Sequence, residues 1–176
     1  MPESSVTSPS SSRMVASFLT DVETLLEDQH WDAALTQAFD LPRIAVALTD
    51  PKLHSSQERQ RNWCEQWIRP AGAEGDAEGL DYEFVRRTVV ERMAREQNGA
   101  TPPVPAPALR RLQLRRHLRT QPRGFSPVCA RPPDPKASEI ALICTALVKA
   151  ARRWYARSAV HDLVVQKNLA RLAVLR

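Results

Sequence analysis

Metal-binding and redox motifs are missing from this chain of 176 residues, which has only three cysteines. Cys64, Cys129 and Cys144 lie too far apart in sequence to form a zinc knuckle or a redox pair. His30 and His54 have no cysteine or second histidine at ligand spacing. We therefore predict neither a metal nor a cofactor, and we interpret the cysteines as reduced thiols in a cytoplasmic protein.

Long apolar runs and strand-like alternation are also absent. No window approaches the roughly 20 apolar residues that span a bilayer, so we expect no membrane contact. Residues 1–12 are polar and serine-rich, lack the apolar stretch of a signal peptide, and are expected to form a disordered tail. Helical periodicity dominates the rest. The sequence therefore predicts an all-α fold, a small helical bundle with proline-rich connections and a long C-terminal helix.

Apolar spacing, capping residues and prolines predict where the helices lie. We expect helices over residues 15–26, 31–39, 42–48, 56–69, 81–97 and 109–119. Pro42 fits the first turn of the third helix, and Ser55 with Glu58 has capping-box spacing at the start of the fourth. Residues 136–176 contain no glycine or proline, which predicts one long helix or two helices joined by a small bend.

Charge is divided unevenly along the chain. Residues 1–100 carry 10 basic and 17 acidic side chains, whereas residues 101–176 carry 15 basic and 3 acidic ones. The change falls at a proline-rich stretch, residues 101–108. We therefore predict an acidic helical bundle over 13–100, a linker over 101–108, and a basic helical segment over 109–176 that packs on the bundle as one domain.

Two groups of basic residues are candidate binding sites. The first, called here the arginine cluster, consists of Arg110, Arg111, Arg115, Arg116 and Arg119. The second, the basic stripe, lies beside the apolar face of the C-terminal helix and consists of Lys149, Arg153, Arg157, Lys167 and Arg171. Arginine-rich surfaces of this kind hold the phosphates of RNA or DNA, and no aromatic lies in the cluster to stack on bases. The same residues could instead contact a protein partner or a second copy in a homodimer, pair with the acidic half, or stay solvated.

The apolar face of the C-terminal helix predicts how the two halves meet. At 100° per residue it comprises Ile143, Leu147, Ala150, Trp154, His161, Val165, Leu169 and Leu172. Trp154, at its middle, is expected to be buried against helices of the first half. His161 is interpreted as a buried, hydrogen-bonded histidine rather than a catalytic acid or base.

A family resemblance covers residues 15–95. Its residues are Asp21, Trp31-Asp32-Ala33-Ala34-Leu35, Leu41-Pro42, Arg59, Trp63 and Trp67-Ile68-Arg69-Pro70. This pattern resembles a group of small helical bacterial proteins with an Arg-to-His helix similar to that of HEPN domains. Phe84 and Arg87 fall on the aromatic and arginine positions, but Arg92 replaces the histidine, so the resemblance implies a helical bundle and no catalytic pair.

The combined patterns favour a binding protein over an enzyme. We predict a non-enzymatic accessory or binding protein that contacts the nucleic-acid backbone through its basic C-terminal half. A protein–protein interaction module is the alternative. A HEPN-like ribonuclease is a further one, because Arg111 and His117 have the spacing of the active pair, although four histidines among 21 arginines make such a match expected by chance.

Overall fold

Six α-helices make up the part of the chain that the computed structural model describes, residues 9–69, 81–98 and 135–174. They are α1 (Pro9–Glu27), α2 (Trp31–Leu48), α3 (Gln57–Trp67), α4 (Tyr82–Asn98), α5 (Pro135–Trp154) and α6 (Leu163–Val174). A π-helical turn, Tyr155–Ala159, follows α5, and these ranges contain no strand. The predicted all-α fold is confirmed. The predicted tail and the predicted linker and helix over 101–119 lie outside the described residues, except that α1 begins at Pro9, so residues 9–12 are helical rather than part of the tail.

Helix α2 lies at the centre of the bundle. Its most extensive contact is with α5, and α1, α3 and α6 also pack on it. Helix α4 lies further out, against α3 and α5. Buried side chains from both sides of the proline-rich stretch, among them Val22, Leu48, Leu147 and Leu169, belong to one apolar core.

A single helix replaces the two that the sequence predicts over 31–39 and 42–48. Pro42 lies inside α2, although a proline in a helix interior lacks the N–H for a hydrogen bond and costs about 3 kcal/mol. Pro42 is itself fully buried, and both Leu41 and Ile44 beside it belong to the core. The prediction was wrong because burial of nearly all of the C-terminal half of α2 outweighs the local preference of proline.

The C-terminal region forms two helices, the second of the two predicted arrangements. In the π-helical turn the N–H of Val160 donates to the carbonyl of Tyr155 at 3.1 Å, and the helix then breaks. Asp162 Oδ1 caps the start of α6 by accepting from the N–H groups of Val164 and Val165 at 2.8 and 3.2 Å. The break changes the direction in which side chains project. His161 is therefore exposed, contrary to the prediction that it lies on the apolar face.

The cap of α3 lies one residue later than predicted. Ser56, not Ser55, accepts from the N–H of Arg59 at 3.4 Å. Ser55 Oγ instead accepts from the side chain of buried Gln60 at 2.8 Å. Of the two adjacent serines, Ser56 therefore caps the helix, and Ser55 is the hydrogen-bond partner of Gln60.

Helix α1 ends in a hydrogen-bonded motif that ordinarily contains glycine. The N–H of His30 donates to the carbonyl of Leu25 at 2.8 Å, and that of Gln29 to Leu26 at 3.1 Å, which is the Schellman arrangement. Gln29 adopts a φ of 60° at the position that favours glycine. Its side chain is exposed, so backbone conformation alone sets the energy of this position.

Replacing this residue tests the strain. Gln29→Gly should raise the free energy of unfolding by about 0.5–1 kcal/mol, because relief of the left-handed strain exceeds the extra entropy that glycine loses on folding. Gln29→Ala, which keeps a Cβ at the same φ, should give no gain. Urea denaturation of the three proteins measures both effects, and equal stability of the glycine and alanine variants would contradict the assignment.

Trp154 is buried, as predicted, with only 4% of its surface exposed. It lines a cavity of about 20 Å³ together with residues of α1, α2 and α5, namely Val15, Phe18, Leu19, Leu41, Ile44, Ala45, Leu48 and Ala151. All of these side chains are apolar, so the cavity offers no hydrogen bonds to a water molecule. It is also far smaller than the roughly 300 Å³ of a typical small-molecule site.

Truncation of this tryptophan measures how much its packing contributes to the free energy of unfolding. Trp154→Ala should lower the free energy of unfolding by about 3–5 kcal/mol, because it removes a large buried side chain beside an existing cavity. Leu163→Ala is a control, since Leu163 is 73% exposed and its loss should change stability by less than about 0.5 kcal/mol. Thermal or urea unfolding with similar losses for both variants would show that Trp154 does not hold α5 in place.

Candidate nucleic-acid interface

The structure describes the residues of the basic stripe but not those of the arginine cluster. All five arginines of the cluster lie outside the described residues, as do Arg111 and His117 considered as a ribonuclease pair. The stripe lies within them and is divided between α5, the π-helical turn and α6. The basic stripe is therefore not a continuous line of charge along one helix.

Exposure separates the members of the stripe. Arg157 and Lys167 are exposed, and neither has a hydrogen bond or ion pair within the ranges that the structure describes. Lys149 is half-buried. Arg157 lies in the π-helical turn and Lys167 in the middle of α6. These two side chains are oriented toward solvent, where an anionic partner can reach them.

Arg153 instead donates a hydrogen bond to the C-terminal end of α3. Its Nη2 donates to the carbonyl of Trp67 at 2.8 Å, and its guanidinium lies 6.0 Å from the centre of the Tyr82 ring. Arg86 Nη1 donates to the next carbonyl, Ile68, at 3.2 Å. Carbonyls at a helix C-terminus have no partner within the helix and carry partial negative charge. Arg153 and Arg86 thus satisfy two of them and join α3 to α5 and α4.

A second polar junction closes the end of α2. Asn168, only 2% exposed, donates from Nδ2 to the carbonyls of Leu48 at 3.0 Å and Asp50 at 2.8 Å. Arg171, one turn further along α6, donates to the carbonyl of Pro51 at 3.3 Å and to Asn168 Oδ1 at 3.5 Å. Helix α6 is therefore fixed to the segment that follows α2 by two of its polar side chains.

Asp50 and Arg59 complete this junction. Arg59 Nη1 donates to Asp50 Oδ2 at 2.9 Å, and its Nη2 donates to Thr49 Oγ1 at 2.8 Å. Asp50 Oδ1 accepts from the N–H of Lys52 at 2.8 Å. The N–H of Lys52, together with Arg59, lowers the pKa of the Asp50 carboxyl below its usual value of 3.8. Sequence reasoning treated Asp50-Pro51 only as a break and missed this ion pair, whose partners lie nine residues apart in different elements.

An ion pair between Arg152 and Glu23 directly joins the basic and acidic halves. Arg152 Nη2 on α5 lies 2.7 Å from Glu23 Oε2 on α1, and both side chains are more than a third exposed. Solvent screening limits such a pair to about 1 kcal/mol or less. Together with the contacts of Arg153 and Arg171, it shows that part of the positive charge of the C-terminal helices is used inside the fold.

Among the residues at the positions of the family resemblance, Arg92 contacts an aromatic ring of another helix. The Arg92 guanidinium, at the position where the pattern that the sequence resembles has histidine, lies 4.5 Å from the centre of the Phe39 ring. Phe84 is half-buried and Arg87 is exposed on α4. Stacking of Arg92 on Phe39 joins α4 to α2 and accounts for an arginine at this position without any catalytic role.

Groups that could bind a metal ion do not assemble in this part of the protein. Within the described residues no three His, Cys, Asp or Glu side chains form a group that could hold a metal ion. Cys64 and Cys144 are buried free thiols, and burial raises the pKa of each to about 12. They are protonated at neutral pH and are poor nucleophiles. None of the described helices combines the length and apolar character needed to cross a membrane.

Comparison with known proteins gives no relative: no family model, no curated protein and no solved structure matches the chain. Any functional argument therefore rests on the residues and their contacts.

The Asp50 junction predicts how stability depends on pH. Because the folded-state pKa of Asp50 is lowered, its stabilising contribution is complete above pH 3.8 and is lost as the pH falls through the folded-state value. Asp50→Asn removes this contribution. Between about pH 6 and pH 3, the parent protein should lose more free energy of unfolding than the variant does.

Urea denaturation at each pH measures this difference. Glu58→Gln, which removes an exposed carboxylate from the first turn of α3, is the matched control. If Asp50→Asn and the parent protein lose stability in parallel as the pH falls, Asp50 is not the group responsible.

Proposed function

We propose that this protein is a non-enzymatic helical binding protein that contacts the backbone of nucleic acid through the arginine cluster. The observation that carries the proposal is the distribution of charge. Residues 99–134 contain seven arginines and one aspartate, a net charge of +6, whereas the whole chain has a net charge of +5. The remainder of the chain is thus close to neutral. A segment with this surplus is the part of the chain that most strongly attracts a polyanion.

The contacts of the described helices support the same division of roles. Arg152, Arg153 and Arg171 donate to groups of the first half, so they stabilise the bundle. Arginines engaged in this way are less available to phosphates. We therefore assign the helices the role of a scaffold and the cluster the role of the main phosphate contact.

The dependence of binding on salt tests this assignment. Five phosphate contacts to duplex DNA give a plot of log K against log salt a slope of about −4.5, and each arginine lost should flatten it by about 0.9. The variant changes Arg110, Arg111, Arg115, Arg116 and Arg119 to Gln. Fluorescence anisotropy with a labelled duplex, between about 50 and 200 mM salt, gives the slopes. Duplexes of unrelated sequence should bind similarly, since backbone contacts do not read bases.

A control variant keeps the change in net charge but moves it to the first half. Arg13, Arg61, Arg69, Arg87 and Arg95, all exposed on α1, α3 and α4 or just after α3, are changed to Gln. The control should bind nearly as the parent protein does. Equal losses in both variants would assign binding to net charge and not to the cluster. If the parent protein does not bind nucleic acid at low salt, the proposal is wrong and a protein partner takes the place of the polyanion.

A further inference from the structure

The segment between α2 and α3, residues 49–56, is held in place from several sides. Asn168 donates to the carbonyl of Asp50, Arg171 donates to that of Pro51, and Arg59 binds the Asp50 carboxylate. The Asp50 carboxylate in turn accepts from the N–H of Lys52. These contacts tie the backbone of the connection to two neighbouring helices and so determine where its exposed residues leave the surface.

The backbone within this segment adopts an unfavourable conformation. Leu53 has a φ of 58°, in the left-handed region that a γ-branched residue rarely adopts. Its side chain packs against the core, whereas those of Lys52 and His54 on either side are exposed. Such conformations persist where the surrounding contacts determine them, and they cluster at ligand-binding positions. Here Leu53 is partly buried against the core and Lys52 is on the surface.

Positive charge from α6 lies next to this segment. Arg171 contacts the carbonyl of Pro51, the residue before Lys52. Lys167 lies one helical turn before Arg171 on the same face of α6, and both are exposed. Neither α6 nor the segment contains an acidic residue except Asp50, whose two oxygens accept from Lys52 N and from Arg59. Glu58, on the first turn of α3, is the exposed acid nearest in sequence.

We propose that Lys52 and Lys167, which lie on either side of the contact between Arg171 and the Pro51 carbonyl, form a second contact surface for the phosphates of a nucleic-acid backbone. The segment presents Lys52, α6 presents Lys167, and the ion pair with Arg59 compensates the negative charge of Asp50. This surface combines the predicted stripe with a lysine from the acidic half. The inference rests on the proposed function, because it requires that the protein bind nucleic acid, but it does not depend on the arginine cluster.

The test uses the full-length chain with Lys52→Gln and Lys167→Gln together. Arg171 is left unchanged because it also holds Pro51. Both lysine side chains are exposed, and far-ultraviolet circular dichroism verifies that the helices are retained. Loss of two phosphate contacts should flatten the slope of log K against log salt by about 1.8 on the same labelled duplex. The matched control, Arg69→Gln with Arg87→Gln, removes two exposed charges from α4 and the end of α3 and should leave the slope unchanged.

The outcomes distinguish this inference from the proposed function. If the slope of the double lysine variant matches that of the control while the five-arginine variant is flattened, the second surface is wrong and the cluster stands. If the double lysine variant is flattened and the five-arginine variant is not, the second surface stands and the cluster assignment falls. Failure of the parent protein to bind any duplex at low salt overturns both.

Discussion

The carbonyl groups at the C-terminal ends of α2 and α3 need hydrogen-bond donors that their own helices do not provide. In this bundle several of the donors come from other helices. Arg59 and Asn168 contact the last turn of α2 and the residues after it, and Arg86 and Arg153 contact the end of α3. Each contact satisfies partly or fully buried carbonyls, and leaving such a group unpaired costs about 1–3 kcal/mol. Because Arg153 and Asn168 lie on α5 and α6, these bonds fix where both C-terminal helices dock.

This requirement also determines how the surplus of arginine is used. An arginine that donates to a carbonyl or to Glu23 contributes to the fold and has less capacity to bind a partner. Arg157 and Lys167 are different, since no such contact holds them within the described helices. In the described C-terminal helices, the net charge therefore overstates the charge that they present to solvent.

Local patterns in the sequence predict those helices whose position is determined by the spacing of their own apolar residues. Val85, Val89 and Met93 define α4 correctly, and Trp154 is buried where its position on the apolar face places it. Pro42 misled the prediction, because the packing that tolerates it comes from α5, far away in sequence. His161 was misplaced because a π-helical turn changes the helical phase. The partners of Arg153 and Asn168 lie 86 and about 120 residues away, so no local pattern indicates which carbonyl either side chain contacts.

The order of the helices along the chain has a consequence for folding. Helix α2 ends at Leu48, yet α5, its principal neighbour, begins only at Pro135. During synthesis at about 5–20 residues per second, several seconds pass before that neighbour emerges. Until then the face of α2 that carries Leu41, Ile44 and Leu48 lacks its main cover. Contacts so distant in sequence slow the search for the native state, and the nascent chain is exposed to aggregation for that interval.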